Sequence, residues 1–410
     1  MIRHFAHWKD PLLVMRGSGA RIIGMLVQLV VIARICGTEQ LGIYSFALAL
    51  TTPIILVCGW HLRQFMAMDA NGWFAWKAYR DLRNISFVGG ALVLGLLCWL
   101  WPTAQVHMVL VGLVYLAKAA EAYPELGHGL LQRRKDFAAV GNSNAIRSLC
   151  GTLGLCVPLL LQAALETAVM LQVVMLVAVC VLVDRRQVAP LIAGWSGRSH
   201  NGLALLRRVW ALGIAAGTGG LVAGIPRLVL VSYGREAEAG ILLILLNLFA
   251  PASLLIAAFA QSNGSRLADA GVAQTKAEWS ARLRRCIVVG YLGTLVNGFA
   301  AWVVILSLPW ILGQPFDVSI WLVMAFAVAG AMQSHVSFVG TGLDSLGSHV
   351  VKLPNLLLQG GVLAVMCHLW IVPHGLWGVV GALALSSLVV LSTMSFSLSQ
   401  RMRSHFGVPS

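Results

Sequence analysis

Charge is what this sequence lacks. Of its 410 residues only 11% are Asp, Glu, Lys or Arg, while 59% are hydrophobic and the mean hydropathy is +0.83. A soluble domain carries about 25% charged residues, so this chain cannot clothe a globule with a solvated surface. A water-soluble enzyme or binding domain is excluded, and a bilayer is the solvent that accepts such a surface. Acids are scarcer than bases, 15 against 29, for a net charge of +14. The bases form no continuous patch; they sit in small groups between apolar runs, which argues against a nucleic-acid partner. The eight cysteines show no CxxC and no His/Cys ligand spacing. They lie in or beside apolar runs and read as small hydrophobes rather than metal ligands. There is no P-loop, GxGxxG, HExxH or GxSxG. Nothing therefore points to an internal ATPase, an enzyme constellation, a cofactor or a metal.

What is present is a series of apolar runs. At about 20 apolar residues per span, the length accommodates about twelve helices, expected at 17–36, 41–60, 85–103, 105–125, 138–162, 166–183, 209–233, 239–260, 285–308, 319–340, 353–371 and 376–397. The first run, Gly17 to Cys36, is too long for a signal-peptide core and lacks an A-x-A-like site after it. With this layout, twenty-three of the 29 basic residues fall in alternate loops on one side and only Arg235 on the other. One span more or fewer would destroy that asymmetry. By the positive-inside rule both termini face the cytoplasm, as in a multi-pass protein of a bacterial inner membrane. Trp99, Trp101, Trp310, Trp321, Trp370 and Trp377 mark the outer headgroup level. The stretch 71–84 reads as an interfacial helix, with Trp73, Trp76 and Tyr79 dipping and Lys77, Arg80 and Arg83 among headgroups. All outer loops are short, leaving no room for a carboxylate-bearing catalytic domain.

The two halves echo each other. Gly42-Ile43 has Pro53 eleven residues after the glycine, and Gly240-Ile241 has Pro251 at the same distance, 198 residues later. Each unit opens the second span of its half. A parallel repeat of two six-helix lobes follows: 1–183, a cytoplasmic linker over 184–208, and 209–410. The fold class is an all-α polytopic membrane protein.

Ionisable groups at membrane depth are costly and are candidate functional residues. Five are basic: Arg21, Arg34, Lys118, Arg147 and Arg227. One is clearly acidic, Glu121, with Glu125 at the border. The interior is therefore net positive and suits an anionic substrate. Arg147 lies near mid-membrane, and Arg227 follows Pro226, which frees a backbone carbonyl and bends the helix. Arg21 and Arg34 lie near the ends of span 1, where they can snorkel. Lys118 and Glu121, at i,i+3, can pair with each other. Asn247, Asn297, Gln333 and Gln359 read as interhelical hydrogen-bond partners. His335 and His368 read as lone histidines, with proton coupling the lesser alternative, since imidazole titrates near neutrality.

The stretches ARICGTEQLGIYSFALALTTPI (33–54), HLRQ (61–64), AYPELGHGLLQRRKDF (122–137), AIRSLCG (145–151), GIPRLVLVSYGREAEAGI (224–241), SRLADA (265–270) and PHGLWGVVGALAL (373–385) together resemble the lipid-linked oligosaccharide flippases of bacterial polysaccharide synthesis, within the MATE-like transporter superfamily. Relatives often have a glycine where His61 stands. The resemblance implies two six-helix bundles around a central cavity with alternating access. It implies an undecaprenyl-pyrophosphate-linked oligosaccharide as substrate, moved from the cytoplasmic to the periplasmic leaflet for O-antigen, capsule or exopolysaccharide synthesis. Its expected partners are that substrate, membrane lipids, and the polysaccharide polymerase and chain-length machinery. The cationic positions that fit the pyrophosphate are Arg147 and Arg227, with Arg21, Arg34 and Lys118 behind them. The rival readings are a cation-coupled small-molecule or drug antiporter of the same fold, which would need a free acid at depth; a membrane polysaccharide polymerase, which the short outer loops disfavour; and a peptidoglycan-precursor flippase, whose relatives usually have fourteen spans.

Overall fold

The computed structural model describes residues 2–69, 72–195, 197, 199–251, 276–313, 318–346 and 352–406. Side chains before residue 17 are not described. The resemblance stretch at 265–270 and the second half of the span expected at 239–260 lie outside the described residues.

The chain is nearly all helix, and its helices follow the apolar runs. They are α1 (Ile2–Gly59), α2 (Leu62–Met68), α3 (Trp76–Leu100), α4 (Pro102–Val106), α5 (Met108–Ala122), α6 (Glu125–Arg133), α7 (Phe137–Leu160), α8 (Leu165–Val179), a π turn (Cys180–Asp184), α9 (Arg185–Ala193), α10 (Gly202–Ser232), α11 (236–251), α12 (Lys276–Leu312), α13 (Ile320–Ser345), α14 (Lys352–His374) and α15 (Leu376–His405). Among the described residues nine stretches are long and apolar enough to cross a membrane. One, Gly17–Ala67, holds the two spans expected at 17–36 and 41–60. They are separated inside α1 at Gly37, whose φ of 87° and ψ of 168° are accessible only to glycine. The remaining expected spans correspond to α5, fifteen residues long, and to α11. The protein is a multi-pass membrane protein.

The described residues divide into two compact units, Met1–Gly224 and Ile225–Ser410, so that α10 begins in one and ends in the other. In the first unit α10 turns a glycine face, Gly213, Gly217, Gly220 and Gly224, onto the second half of α1. A Cβ would stand 2.3 Å from the Trp60 ring at Gly213 and 2.2 Å from Val57 at Gly217. Such small-residue faces let helix backbones meet closely where lipid offers no hydrophobic drive between helices.

The loops between spans are also structured. The short helices α2, α6 and α9 share a buried cluster with α3 and α10, including Leu62, Met66, Tyr79, Leu130, Val188 and Leu205. The segment expected as a linker, 184–208, contributes Val188 and Leu205 to this core. The interfacial helix expected over 71–84 is replaced by something else. Residues 72–75 are not helical: Ala75 donates to the Ser199 carbonyl (2.7 Å) and Ser199 to that of Trp73 (3.0 Å). Trp76 then opens α3, and Tyr79 is fully buried. The indoles stack with cations instead: Arg208 lies 4.4 Å above Trp73 and Arg133 4.6 Å above Trp195. Guanidinium–indole attraction and the peptide pairing satisfy groups that a headgroup-level helix would have left to lipid.

The second unit is built on α12, α13, α14 and α15. Its core at one end gathers Trp279, Leu283, Phe338, Leu343, Val390 and Met394. Polar side chains at depth pair across helices: Gln359 donates to Gln333 at 2.7 Å, Ser387 to the same oxygen at 3.1 Å, and Thr393 to Asn355 at 2.6 Å. Asn297 donates to the Leu248 carbonyl at 3.1 Å and Asn247 to that of Leu243 at 2.8 Å. Gln333, Gln359 and Asn297 bridge helices as expected of amides inside a bundle, whereas Asn247 turns back onto its own helix α11 instead of the interhelical partner expected for it. The two lone histidines have tyrosine partners, Tyr291 on His335 at 3.2 Å and Tyr233 on His368 at 2.6 Å. All eight cysteines are free thiols.

Candidate functional site: a cationic cavity in the first unit

The first unit contains two adjoining cavities. The larger, about 460 Å³, is walled by α1, α2, α3, α5, α6 and α10; its charged lining is Arg21, Arg63, Arg83, Lys118, Glu121 and Glu125. The smaller, about 60 Å³, shares Arg21, Lys118, Glu121 and Glu125 and adds Arg147, with the polar side chains Tyr44, Gln28, Asn144, Ser148 and Gln172. Five cations thus face two carboxylates.

The C-terminal turn of α5 is the centre of this arrangement. Glu121 accepts from Arg21 Nε at 2.9 Å through one oxygen and from Lys118 Nζ at 2.8 Å through the other. Its backbone carbonyl accepts from Arg147 Nη1 at 3.3 Å, and the next carbonyl, of Ala122, accepts from Arg83 Nη1 at 2.8 Å. The last carbonyls of a helix lack intrahelical donors and carry the negative end of its dipole. The carbonyls thus draw Arg83 from α3 and Arg147 from α7, while the Glu121 carboxylate draws Arg21 from α1 and Lys118 from α5 itself. Arg63 donates to Gln132 on α6 at 3.3 Å.

Arg147 has a second partner set behind the cavity wall. Its Nη2 donates to Asp184 at 2.8 Å and to Ser143 Oγ at 3.1 Å; Ser143 in turn donates to Asp184, and His128 Nε2 lies 3.0 Å from the same hydroxyl. All four side chains are buried. Asp184 belongs to the π turn, a break in helical register of a kind common at functional positions. One guanidinium edge is thus fixed while Nε remains without a partner among the described residues. Arg83 Nε, equally buried, has none either. A buried, unpartnered N–H is costly; both atoms are closed to solvent and stand behind the cavity wall.

Of the five cations singled out in the sequence, Arg21, Lys118 and Arg147 come together here. Arg34 is exposed on α1 and lines neither cavity. Arg227 lies in the second unit; it is 9% exposed, with its Nε also unpartnered among the described residues. The sequence reading placed Arg63 and Arg83 among loop charges and did not anticipate Asp184, His128 or Ser143. An arginine seven residues into the 25-residue helix α3 is a signal only once the helix is known to start at Trp76 rather than near 85.

No family model and no curated protein matches the sequence. Solved structures do match the fold. One of the lipid II flippase MurJ, inward closed, aligns at a TM-score of 0.71 with 10% identity over 96% of this chain and 90% of that one. The chain has the MATE-like transporter fold. The MATE multidrug transporter DinF-BH aligns at 0.63, with 13% identity over 97% and 95% of the two chains. A MOP superfamily transporter from Pyrococcus furiosus, described by the reverse polarity of its binding pocket, aligns at 0.57 with 14% identity over 95% and 96%. The MATE-like fold accommodates both a lipid flippase and multidrug transporters, so the site has to decide between substrate classes.

Proposed function

We propose that this protein is a flippase that carries undecaprenyl-pyrophosphate-linked oligosaccharide from the cytoplasmic to the periplasmic leaflet by alternating access, in a bacterial inner membrane with both termini cytoplasmic. The observation that carries this reading is the cavity of about 460 Å³ with Arg21, Arg63, Arg83 and Lys118 in its wall. Charge-assisted and bidentate guanidinium–phosphate hydrogen bonds replace the water a diphosphate gives up. Arg63 and Arg83 belong, in the expected topology, to the cytoplasmic side, where such a lipid would arrive. An uncharged wall of amides and hydroxyls, Gln28, Asn144, Ser148 and Gln172, adjoins it and suits sugar hydroxyls. The rival antiporter reading needs a carboxylate free to take a cation; both oxygens of Glu121 are already engaged by cations, and Glu125, the other carboxylate, stands in a wall where cations outnumber acids. The arrangement calls for no chemistry by the protein itself.

The test is the leaflet on which the lipid-linked glycan resides. In spheroplasts lacking the chromosomal gene, a membrane-impermeant glycan probe should find it hidden. Wild-type protein should restore display, whereas Arg83→Ala, Arg147→Ala and Arg227→Ala, present at wild-type levels in the membrane, should each restore less. Normal display without the gene would sink the flippase reading; normal display with all three variants would sink the cationic site.

A further inference from the structure

Glu121 is an unusual residue to find in the middle of an anion site. A carboxylate there lowers the field that would attract a diphosphate, and its two oxygens hold two of the cations. The partners differ. Lys118 lies on the same helix at i,i+3 and travels with Glu121, 2.8 Å away. Arg21 comes from α1, its side chain 58% exposed, and meets Glu121 across the cavity at 2.9 Å. The Lys118 pair is local and survives any movement of α1. The Arg21 pair is made between helices and is the one an incoming ligand can take.

We propose that Glu121 sets an affinity threshold at this site: its carboxylate is a resident competitor for Arg21 that any anion has to displace, which strongly held phosphate-rich anions do and weakly held singly charged ones do not. This rests on the flippase reading above. A ligand carboxylate that displaced Glu121 would exchange one Arg–carboxylate pair for another of the same chemistry. It would do so against a competitor whose tether gives it a high effective concentration. A diphosphate brings more charge and more acceptor oxygens than the group it displaces, and Arg63 stands in the wall of the same cavity. Displaced Glu121 keeps Lys118, so no bare carboxylate is left behind. The competitor weakens every displacing anion by the same factor, so the ligands that still bind are those whose own contacts are strong enough to bear it.

The experiment is a pair of titrations on the full-length protein in detergent, with pyrophosphate and with glucuronate as probes, read by tryptophan fluorescence. Wild type should bind pyrophosphate and show little response to glucuronate. In Glu121→Gln, Arg21 is no longer occupied. If the wild-type pair is open about a tenth of the time, both probes should bind about tenfold tighter, which brings glucuronate into the measurable range. Glu121→Asp keeps the charge and shortens the reach to Arg21. It carries the test if the glutamine variant does not fold, and its affinities should fall between the other two. Pyrophosphate and glucuronate affinities unchanged from wild type in a folded variant would overturn the inference while leaving the flippase reading intact. Absence of pyrophosphate binding in wild type and variants alike would overturn both.

Discussion

Arg147 and Asp184 sit 2.8 Å apart, with side chains only 5% and 4% exposed. Removing one partner of such a pair leaves the other charged and unpaired, at a cost of about 3–5 kcal/mol, whereas replacing both by apolar groups is often neutral. Asp184→Asn should therefore lower the thermal unfolding midpoint strongly, and adding Arg147→Met should recover most of the loss. Both are measurable on purified protein in detergent. A single variant as stable as wild type would mean that Ser143 and the carbonyl of Glu121 suffice to hold the guanidinium. His128, on the short helix α6, adds a pH dependence. Burial holds its imidazole below the ordinary value; Asp184 opposes this, and Arg147 and Arg63 reinforce it. The folded protein prefers the neutral ring, while the unfolded chain protonates near its ordinary pKa of about 6.5. The stabilisation is full above that pH and is lost as pH falls through it towards the lowered folded value. Melting curves at pH 8 and pH 5.5 should show a smaller acid loss in His128→Gln than in wild type.

At the scale of elements, α10 and α1 meet through glycines, and the space at each glycine predicts its tolerance. A methyl group at Gly213 or Gly217 would collide with Trp60 or Val57, while Gly219, two residues on, has nothing within 4 Å. Gly213→Ala and Gly217→Ala should each cost about 1–3 kcal/mol through overpacking, with Gly219→Ala close to wild type in the same assay. Equal midpoints for all three would show that the helices separate at no cost. The break in α1 makes a similar demand. Gly37→Ala places a Cβ in a backbone region costing about 1–3 kcal/mol, although no neighbouring atom obstructs it. Its effect should therefore appear as strain, unrelieved by trimming nearby side chains. The break was legible only as a boundary between apolar runs. The helices α2, α6 and α9 were not legible at all, because seven to nine residues give too few turns for a periodic signal. Their apolar positions were read as loop residues until α3 and α10 supplied the surface they cover.

At the scale of the whole molecule the prediction concerns sidedness. If the basic loops are cytoplasmic, alkaline phosphatase fused after Glu39, Ala164 or Arg235 should be active and after Lys135 or His405 inactive. An active fusion at Lys135 would invert the proposed direction of transport, since Arg63 and Arg83 would then face the wrong leaflet.

Composition and the spacing of apolar runs determined that the chain is a helical membrane protein and where its long helices lie, because a bilayer demands long uncharged segments whatever they pack against. They also marked Arg21, Lys118 and Arg147 as intramembrane charges, since such residues are rare enough to stand out singly. Which of these charges would meet was a tertiary matter. Arg63, Arg83 and Asp184 look like ordinary span-end residues in one dimension. Only when α5 ends against α1, α3 and α7 do its last carbonyls and Glu121 gather cations from four helices into one wall. A partner across a bundle leaves no trace in sequence spacing, because ion pairing is set by helix rotation and depth, and these are fixed by packing.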